Sequence, residues 1–163
     1  MKAVIQRVSS AQVEIGGSVV SSIRKGLLVL IGIEKEDSES DVSYIARKIS
    51  QLRIFEDTSL KMNLSVKDIS GEILVVSQFT LAADCRKGNR PAFDAAEEPE
   101  KANRMYLKVV EKLRQEGIQT FTGKFAAHMQ VHLANDGPVT ILIDTTKERF
   151  PERGKKTGTH PFS

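Results

Sequence analysis

The stretch ILVVSQFTL, residues 73–81, begins with four apolar residues and ends in polar ones. Its apolar start, rich in β-branched residues, is typical of a strand buried in a sheet. Ser77, Gln78 and Thr80 then place three hydrogen-bonding side chains around Phe79. Burying such groups without partners costs about 1–3 kcal/mol each, so a core strand does not usually end this way. The stretch therefore predicts a strand over residues 73–81 whose polar end is either a turn or the floor of a site.

Strand patterns lie on both sides of this stretch. Two β-type segments near the N-terminus flank the Gly-Gly pair at 16–17, which is a two-residue hairpin signal. KGLLVLIGI, residues 25–33, is typical of a strand buried on both faces. FAAHMQVHLA (125–134) and VTILID (139–144) predict two further strands, and the NDGP between them predicts a turn.

Two amphipathic helices are predicted between the strands. Residues 39–53 carry apolar side chains at helical spacing, and Ser38 with Asp41 forms a capping-box-like start. A second helix begins at Pro99 and ends near Gly117. The order of elements predicts a mixed α/β layered domain, and 163 residues are enough for one such domain.

The charge of the chain is concentrated at its C-terminus. The whole chain carries a formal net charge of +3, and the segment from Lys147 onward accounts for all of it. We therefore expect a domain over 1–146 and a basic, flexible tail over 147–163. The sequence pI of about 9.0 is a property of this tail and does not indicate a nucleic-acid-binding body.

Compartment and redox state follow from the N-terminus and the cysteine count. The single cysteine, Cys85, excludes an intrachain disulfide. The start MKAVIQRVSS lacks the apolar core of a signal peptide, and no run reaches the length of a membrane span. We expect a soluble, cytoplasmic protein without a membrane partner.

The residues alone assemble no catalytic set. His128 and His132 would lie about 13 Å apart on a strand, too far to bind one zinc ion, so no metal site is expected. Cys85 lies beside basic residues that could lower its pKa, but a lone loop cysteine is usually incidental. Ser77 is outside a GxSxG motif, and Thr80 lacks the amine base of N-terminal threonine enzymes. If the protein is an enzyme, its chemistry rests on backbone groups and on the substrate.

A basic segment follows the polar strand end. Arg86, Lys87 and Arg90 place three cations within five residues, in a long loop that precedes the second helix. Such a loop could hold phosphates, or it could be a solvated charged surface. The sequence leaves both interpretations open.

Several stretches resemble the D-aminoacyl-tRNA deacylase family. They are MKAVIQRVSSAQV, KGLLVLIGIEK, LRIFED, KMNLS, VVSQFTL followed by RKGNRP, and MQVHLANDGPVTILID, which together extend from Met1 to Asp144. The resemblance implies a barrel-like α/β domain with two main helices, acting as a homodimer without a cofactor. It implies hydrolysis of the ester of D-aminoacyl-tRNA, and also of glycyl-tRNA(Ala), while L-aminoacyl-tRNA is rejected.

The resemblance also assigns roles to residues. It implies that Ser77, Gln78, Phe79 and Thr80 of one chain meet the Gly137-Pro138 dipeptide of the other, which would exclude L side chains. The family has this peptide bond in the cis form, although only about 5–6% of X-Pro bonds are cis, and the sequence alone gives no reason to choose it. Arg7 would brace the dipeptide.

The resemblance extends to the reaction and to the RNA. Backbone N–H groups near Phe79 and Thr80 would stabilise the oxyanion, with assistance from the 2′-OH of the terminal ribose. The phosphates of the tRNA would contact Arg86, Lys87 and Arg90. Two alternatives remain: Thr80 as a nucleophile, or a noncatalytic RNA-binding module. The chain departs from the family pattern at Cys85 and Asn89, where threonine and a basic residue are expected, which affects the phosphate contacts.

Overall fold

The computed structural model describes residues 1–148 as eight strands, three helices and one 3-10 turn. The strands are β1 (Lys2–Ile15), β2 (Ser18–Ile23), β3 (Gly26–Gly32), β4 (Phe55–Glu56), β5 (Met62–Leu64), β6 (Glu72–Ser77), β7 (Gln119–Thr122) and β8 (Gln130–Asp144). The helices are α1 (Glu39–Gln51), α2 (Pro99–Gln115) and α3 (Thr145–Glu148), and the 3-10 turn spans Phe79–Ala82.

Six strands form one strongly curled sheet. Its order is β2-β1-β3-β6-β7, and β8 pairs with β1. The pairings of β1 are antiparallel, whereas β3–β6 and β6–β7 are parallel. The two ends of the sheet approach each other, because Ser21 Oγ of β2 donates a hydrogen bond of 2.9 Å to the carbonyl oxygen of Thr122 in β7. The prediction of a barrel-like α/β domain with two main helices is confirmed.

Apolar side chains bury the centre of the sheet on both faces. The larger cluster packs Leu27 and Val29 of β3 against the apolar stripes of α1 and α2. The smaller cluster lies on the opposite face and contains Leu28 of β3 and Leu74 of β6. The prediction that β3 is buried on both faces is confirmed. The β3–β6 pair is therefore the rigid element that carries Ser77 at its end.

The strand with the polar end is shorter than predicted. β6 ends at Ser77, so the predicted strand over 73–81 is wrong beyond that residue. The backbone N–H of Gln78 donates a bond of 2.7 Å to the carbonyl oxygen of Ile31, and this bond is the last link to β3. The chain then tightens into the 3-10 turn, where the Phe79 side chain is 57% exposed.

The segment NDGP, residues 135–138, lies within a strand and not in a turn. β8 passes through it as one strand paired with β1, so the prediction of two strands joined by a turn is wrong. The pairing register shifts on both sides of Val8, because the turn-forming residues are accommodated as an irregularity against a continuous partner. Asn135 Oδ1 accepts a hydrogen bond of 2.9 Å from the N–H of Val139, which closes the irregularity. Residues 125–129, predicted as strand, precede β8.

Both main helices agree with the sequence patterns. α1 begins after Ser38, and its capping box with Asp41 is present, although the helix ends at Gln51. Pro99 is the first residue of α2, and Gly117 follows the helix with a φ of 80°. The short strands β5 and β7 were not predicted, because three or four residues are too few to show a periodicity.

The predicted basic tail, 147–163, lies mostly beyond the described part of the chain. Residues 149–163 are outside it, so the boundary at residue 146 stays a prediction. Within residues 1–148, no helix combines the length and apolar character needed to cross a bilayer.

Tyr106 ties α2 to β6 and gives the fold a testable pH dependence. Its hydroxyl donates a bond of 2.8 Å to the carbonyl oxygen of Val75, and burial raises the pKa of Tyr106 to about 12. An unfolded tyrosine has a pKa of about 10, so the folded protein holds this proton more tightly than the unfolded chain. The contribution of this difference to the free energy of unfolding is fully present below pH 10. It falls by roughly 2–3 kcal/mol between pH 10 and pH 12, as the folded protein loses the proton. Urea unfolding should therefore show a steeper loss of stability over this range for the wild type than for Tyr106→Phe. Parallel losses would contradict this assignment.

Candidate active site

A cavity of about 520 Å³ opens beside the end of β6. Three segments supply its walls: the end of β6 with the turn, the start of α2, and the connection between β7 and β8. Their lining residues include Ser77, Gln78, Phe79, Pro99, Phe125 and Met129. The lining is mostly apolar with a few polar groups, which is the usual character of a small-molecule site, and the volume is within the usual range.

The 3-10 turn begins beside the cavity with two backbone donors. Phe79 lines the cavity, whereas Thr80 does not. The N–H groups of Phe79 and Thr80 are the first of the turn and have no partner inside it. Neither N–H donates a hydrogen bond to any group within residues 1–148. Gln78 Nε2 donates to Thr80 Oγ1 at 2.5 Å, so the two side chains hold each other. Adjacent unpaired N–H groups of this kind can stabilise a developing oxyanion.

Two titratable side chains, Glu97 and His128, also line the cavity. Glu97 is 8% exposed, and its carboxylate accepts bonds from Lys101 Nζ at 2.5 Å and from the N–H of Glu98 at 2.9 Å. These bonds lower the pKa of Glu97, so the group is charged and already engaged. No hydrogen bond connects His128 to Ser77 in the described part of the chain. The cavity walls therefore show no paired nucleophile and base.

The Gly137-Pro138 dipeptide is held in place by Arg7. The peptide bond is cis, as the resemblance implies. Arg7 is 6% exposed, and its Nε donates a bond of 2.8 Å to the carbonyl oxygen of Asp136, while Nη1 donates one of 2.7 Å to that of Ile54. One guanidinium thus connects the irregular part of β8 to the segment that follows α1.

The dipeptide lies outside the cavity of its own chain. Gly137 and Pro138 are exposed on the surface of β8, and neither lines the cavity that contains Ser77 and Gln78. The structure therefore brings Ser77, Gln78 and Phe79 together at one cavity, whereas Thr80, Gly137 and Pro138 do not line it.

The basic loop has three cations in different situations. The backbone N–H and carbonyl groups of Asp84 and Ala92 exchange bonds of 2.8 and 3.0 Å, which close the loop at its neck. Arg86 donates from its side chain to both carboxylate oxygens of Asp84, at 2.9 and 2.6 Å, and this contact holds the pKa of Asp84 well below its usual range. Lys87 and Arg90 are exposed and form no ion pair within residues 1–148.

Sequence patterns missed one wall of the cavity. The segment from Phe125 to Met129 was interpreted as strand, because its apolar residues resemble one, yet it forms the turn that lines the cavity. Within residues 1–148 no group of three His, Cys, Asp or Glu side chains could hold a metal ion. Cys85 is exposed in the basic loop and lies outside the cavity lining.

Comparisons with known proteins agree on one family. A family model described as D-Tyr-tRNA(Tyr) deacylase matches residues 4–144. The D-aminoacyl-tRNA deacylase of Thermotoga petrophila is 57% identical over 147 residues, which cover 90% of this chain and 99% of the relative. The enzyme of that name from Geobacter sulfurreducens is 57% identical over 145 residues, with 89% and 95% covered.

Two solved structures share the fold. A protein described as c-Myc DNA unwinding element binding protein has a TM-score of 0.84 and 47% identity, and the match covers 88% of this chain and 98% of that one. A probable eukaryotic D-amino acid tRNA deacylase has a TM-score of 0.75 at 14% identity, with 87% and 97% covered, so it shows the fold alone. With its cavity at the end of β6 and a family model matched over nearly the whole described chain, this protein belongs to the D-Tyr-tRNA(Tyr) deacylase family.

Proposed function

We propose that this protein hydrolyses the ester bond of D-aminoacyl-tRNA, releasing the free D-amino acid and the tRNA. The observation that carries the proposal is the cavity at the end of β6 in a chain of this family, lined by Ser77, Gln78 and Phe79. Its apolar walls suit an amino-acid side chain and the terminal adenosine. Since aminoacyl-tRNA is made in the cytoplasm, the activity is assigned to that compartment.

The backbone of the 3-10 turn supplies the electrostatic part of the mechanism. Attack of water on the ester carbonyl produces a tetrahedral oxyanion, and the unpaired N–H groups of Phe79 and Thr80 are the donors assigned to it. One such donor is worth about 3–4 kcal/mol in the transition state. Gln78 orients the substrate, and Phe79 packs against the adenosine.

The terminal ribose 2′-OH is assigned the role of positioning or activating the attack. Thr80 is a poor candidate for a nucleophile, because its Oγ1 accepts a bond of 2.5 Å from Gln78 and hydrogen-bonds to no base within residues 1–148. Among the described residues no histidine hydrogen-bonds to Ser77 either. These contacts favour an RNA-assisted reaction over a protein nucleophile.

Selection against L-amino acids is assigned to the Gly137-Pro138 dipeptide of a second subunit. The dipeptide is exposed, lies outside the cavity of its own chain and is fixed by Arg7, so it is available to a partner. Backbone carbonyls at this position would occupy the space of an L side chain and cannot move aside as a rotamer would. D-aminoacyl groups fit beside them, and so does glycine, which extends the substrates to glycyl-tRNA(Ala). The protein is accordingly proposed to be a homodimer with its two active sites at the interface.

Contacts with the RNA backbone are assigned to the basic loop. Lys87 and Arg90 are exposed and unpaired within residues 1–148, whereas the charge of Arg86 is compensated by Asp84. The loop follows the turn that carries Phe79, and Phe93, just after the loop, packs against Phe79 at a ring-centroid distance of 5.1 Å. We assign Lys87 and Arg90 to phosphates of the acceptor stem.

The direct test compares hydrolysis of D-Tyr-tRNA and L-Tyr-tRNA prepared on the same tRNA. Hydrolysis of the D ester with the L ester left intact supports the proposal, and equal rates would refute the chirality argument. A third substrate with a 2′-deoxy terminal adenosine tests the role of the RNA, and the expected result is a large loss of rate. Salt-sensitive tRNA binding without turnover would favour the alternative of a noncatalytic RNA-binding module. One similar structure is described as a DNA unwinding element binding protein.

Replacing Thr80 with alanine separates the two catalytic mechanisms. Under RNA assistance the variant loses only the contact with Gln78, and we expect kcat for D-Tyr-tRNA to fall by no more than about tenfold. A covalent nucleophile would be indispensable, since its removal lowers kcat by roughly 10⁶-fold in well-studied hydrolases. Single-turnover rates for Thr80→Ala and wild type decide between these outcomes.

A further inference from the structure

The Phe79 side chain stands at the cavity with little support from the turn that carries it. It is 57% exposed, and its ring contact within residues 1–148 is with Phe93, at a centroid distance of 5.1 Å and an interplanar angle of 63°. This edge-to-face arrangement is the favoured geometry for an aromatic pair. Phe93 itself does not line the cavity. Its effect on a bound substrate would therefore be exerted through Phe79.

Phe93 is anchored on its C-terminal side to the end of β3. Its carbonyl oxygen accepts a bond of 3.0 Å from the N–H of Ala96. Ala96 in turn forms a bridge with Glu34, and the N–H of Glu97 donates a bond of 3.1 Å to the carbonyl oxygen of Ile33. The backbone of Phe93 is thus fixed relative to the strand that runs beside β6.

On its N-terminal side, Phe93 directly follows the closed neck of the basic loop. The reciprocal bonds between Asp84 and Ala92 end one residue before it. Asp84 is further held by Arg86, whose backbone N–H donates a bond of 3.0 Å in addition to the side-chain contacts. Arg86 therefore has an intramolecular partner, Asp84, at the neck of the loop.

We infer that Phe93 is a positioning residue: it holds the Phe79 ring where the terminal adenosine of the substrate stacks. The inference rests on the proposed function, because it names adenosine as the group that Phe79 meets.

A double-mutant cycle on Phe79 and Phe93 tests the inference. The probe is a stable analogue, 3′-deoxy-3′-(D-tyrosylamino)adenosine, in which an amide replaces the ester, and its Kd is measured by calorimetry. Phe93→Leu should weaken binding about threefold to tenfold, the range expected from losing one aromatic pair. Phe93→Tyr, which keeps the ring, should bind within about twofold of wild type. In a Phe79→Leu background, Phe93→Leu should have no further effect.

Kinetics and a matched control complete the test. With D-Tyr-tRNA, Phe93→Leu should raise KM by about threefold to tenfold and leave kcat within about twofold. The contact that is lost stabilises the bound substrate and the transition state equally, so its removal weakens binding without slowing the chemical step. Phe121→Leu removes a partly exposed ring on β7 that does not line the cavity, and it should change neither constant.

Each outcome bears on one of the two proposals. An unchanged Kd for Phe93→Leu, or an undiminished effect of this change in the Phe79→Leu background, would overturn the positioning role. Failure of the wild type to bind the analogue would also overturn it. Binding of the analogue without hydrolysis of D-Tyr-tRNA would overturn the proposed function alone, while the cycle would still decide the role of Phe93.

Discussion

Replacing Arg7 with alanine is expected to lower kcat/KM for D-Tyr-tRNA by about a hundredfold, the scale of a misplaced active-site group. The guanidinium is buried and bridges the carbonyl oxygens of Asp136 and Ile54 at 2.8 and 2.7 Å. Its removal releases the segment that carries Gly137, while the cavity of the same chain keeps its lining. The free energy of unfolding should also fall, by about 2–4 kcal/mol, since two charge-assisted bonds are lost and the buried carbonyl of Ile54 is left unpaired.

Two further variants separate loss of position from loss of charge. Arg7→Lys keeps the positive charge, but a single ammonium cannot reproduce the planar fork that spans both carbonyls, so an intermediate defect is expected. Arg104→Ala removes an exposed pair with Glu100 and should change stability by less than about 1 kcal/mol and activity not at all. If Arg7→Ala folds and hydrolyses D-Tyr-tRNA at the wild-type rate, the segment that carries Gly137 does not depend on Arg7 for its position.

Replacing Gly137 with alanine should produce the second large effect. The residue has a φ of 137°, and an added Cβ would lie 2.8 Å from Val139 Cγ2 and 3.0 Å from Arg7 Nη2. An alanine at position 137 would therefore strain the backbone by about 1–3 kcal/mol. Its Cβ would also displace the Arg7 guanidinium that holds this segment. We expect deacylation of D-Tyr-tRNA to fall roughly a hundredfold, because the displaced dipeptide would misplace the D-aminoacyl ester in the proposed interface site.

Gly16→Ala is the matched control for this change. Gly16 also has a positive φ, 57°, but an added Cβ would meet nothing within 4 Å, and the residue lies in the β1–β2 turn. Its replacement should cost about 1 kcal/mol of stability and leave deacylation unchanged. If both glycine variants reduced activity equally, backbone strain in general, and not the position of the dipeptide, would be responsible.

Local patterns predicted the elements that form the core. The apolar run of β3 and the helical spacing of α1 are visible in sequence, because burial on both faces or on one face leaves a periodic signal. The polar residues Ser77 and Gln78 at the end of β6 line the cavity, and their role in a site stays a prediction. Their backbone conformation, a 3-10 turn after Ser77, depends on tertiary bonds such as that between Gln78 and Ile31, which no local pattern encodes.

The irregularity of β8 shows that turn-forming residues do not always predict a turn. Asn-Asp-Gly-Pro has the composition of a turn, yet the long partner strand β1 and the buried Arg7 keep the chain running in one direction. The cavity wall from Phe125 to Met129 is equally a product of packing. The role of Gly137-Pro138 in a partner subunit came from the family resemblance and stays a proposal.

Complementation between two inactive variants tests the central claim most directly. One subunit carries Gly137→Ala and an intact cavity, and the other carries Gln78→Ala with Phe79→Ala and an intact dipeptide. Each homodimer should be nearly inactive on D-Tyr-tRNA. If the dipeptide of one subunit completes the cavity of the other, each mixed dimer contains one intact site, and co-expression should restore about a quarter of wild-type activity for a randomly assorted two-fold dimer. Co-expressed subunits that form mixed dimers but stay as inactive as the separate variants would contradict the account.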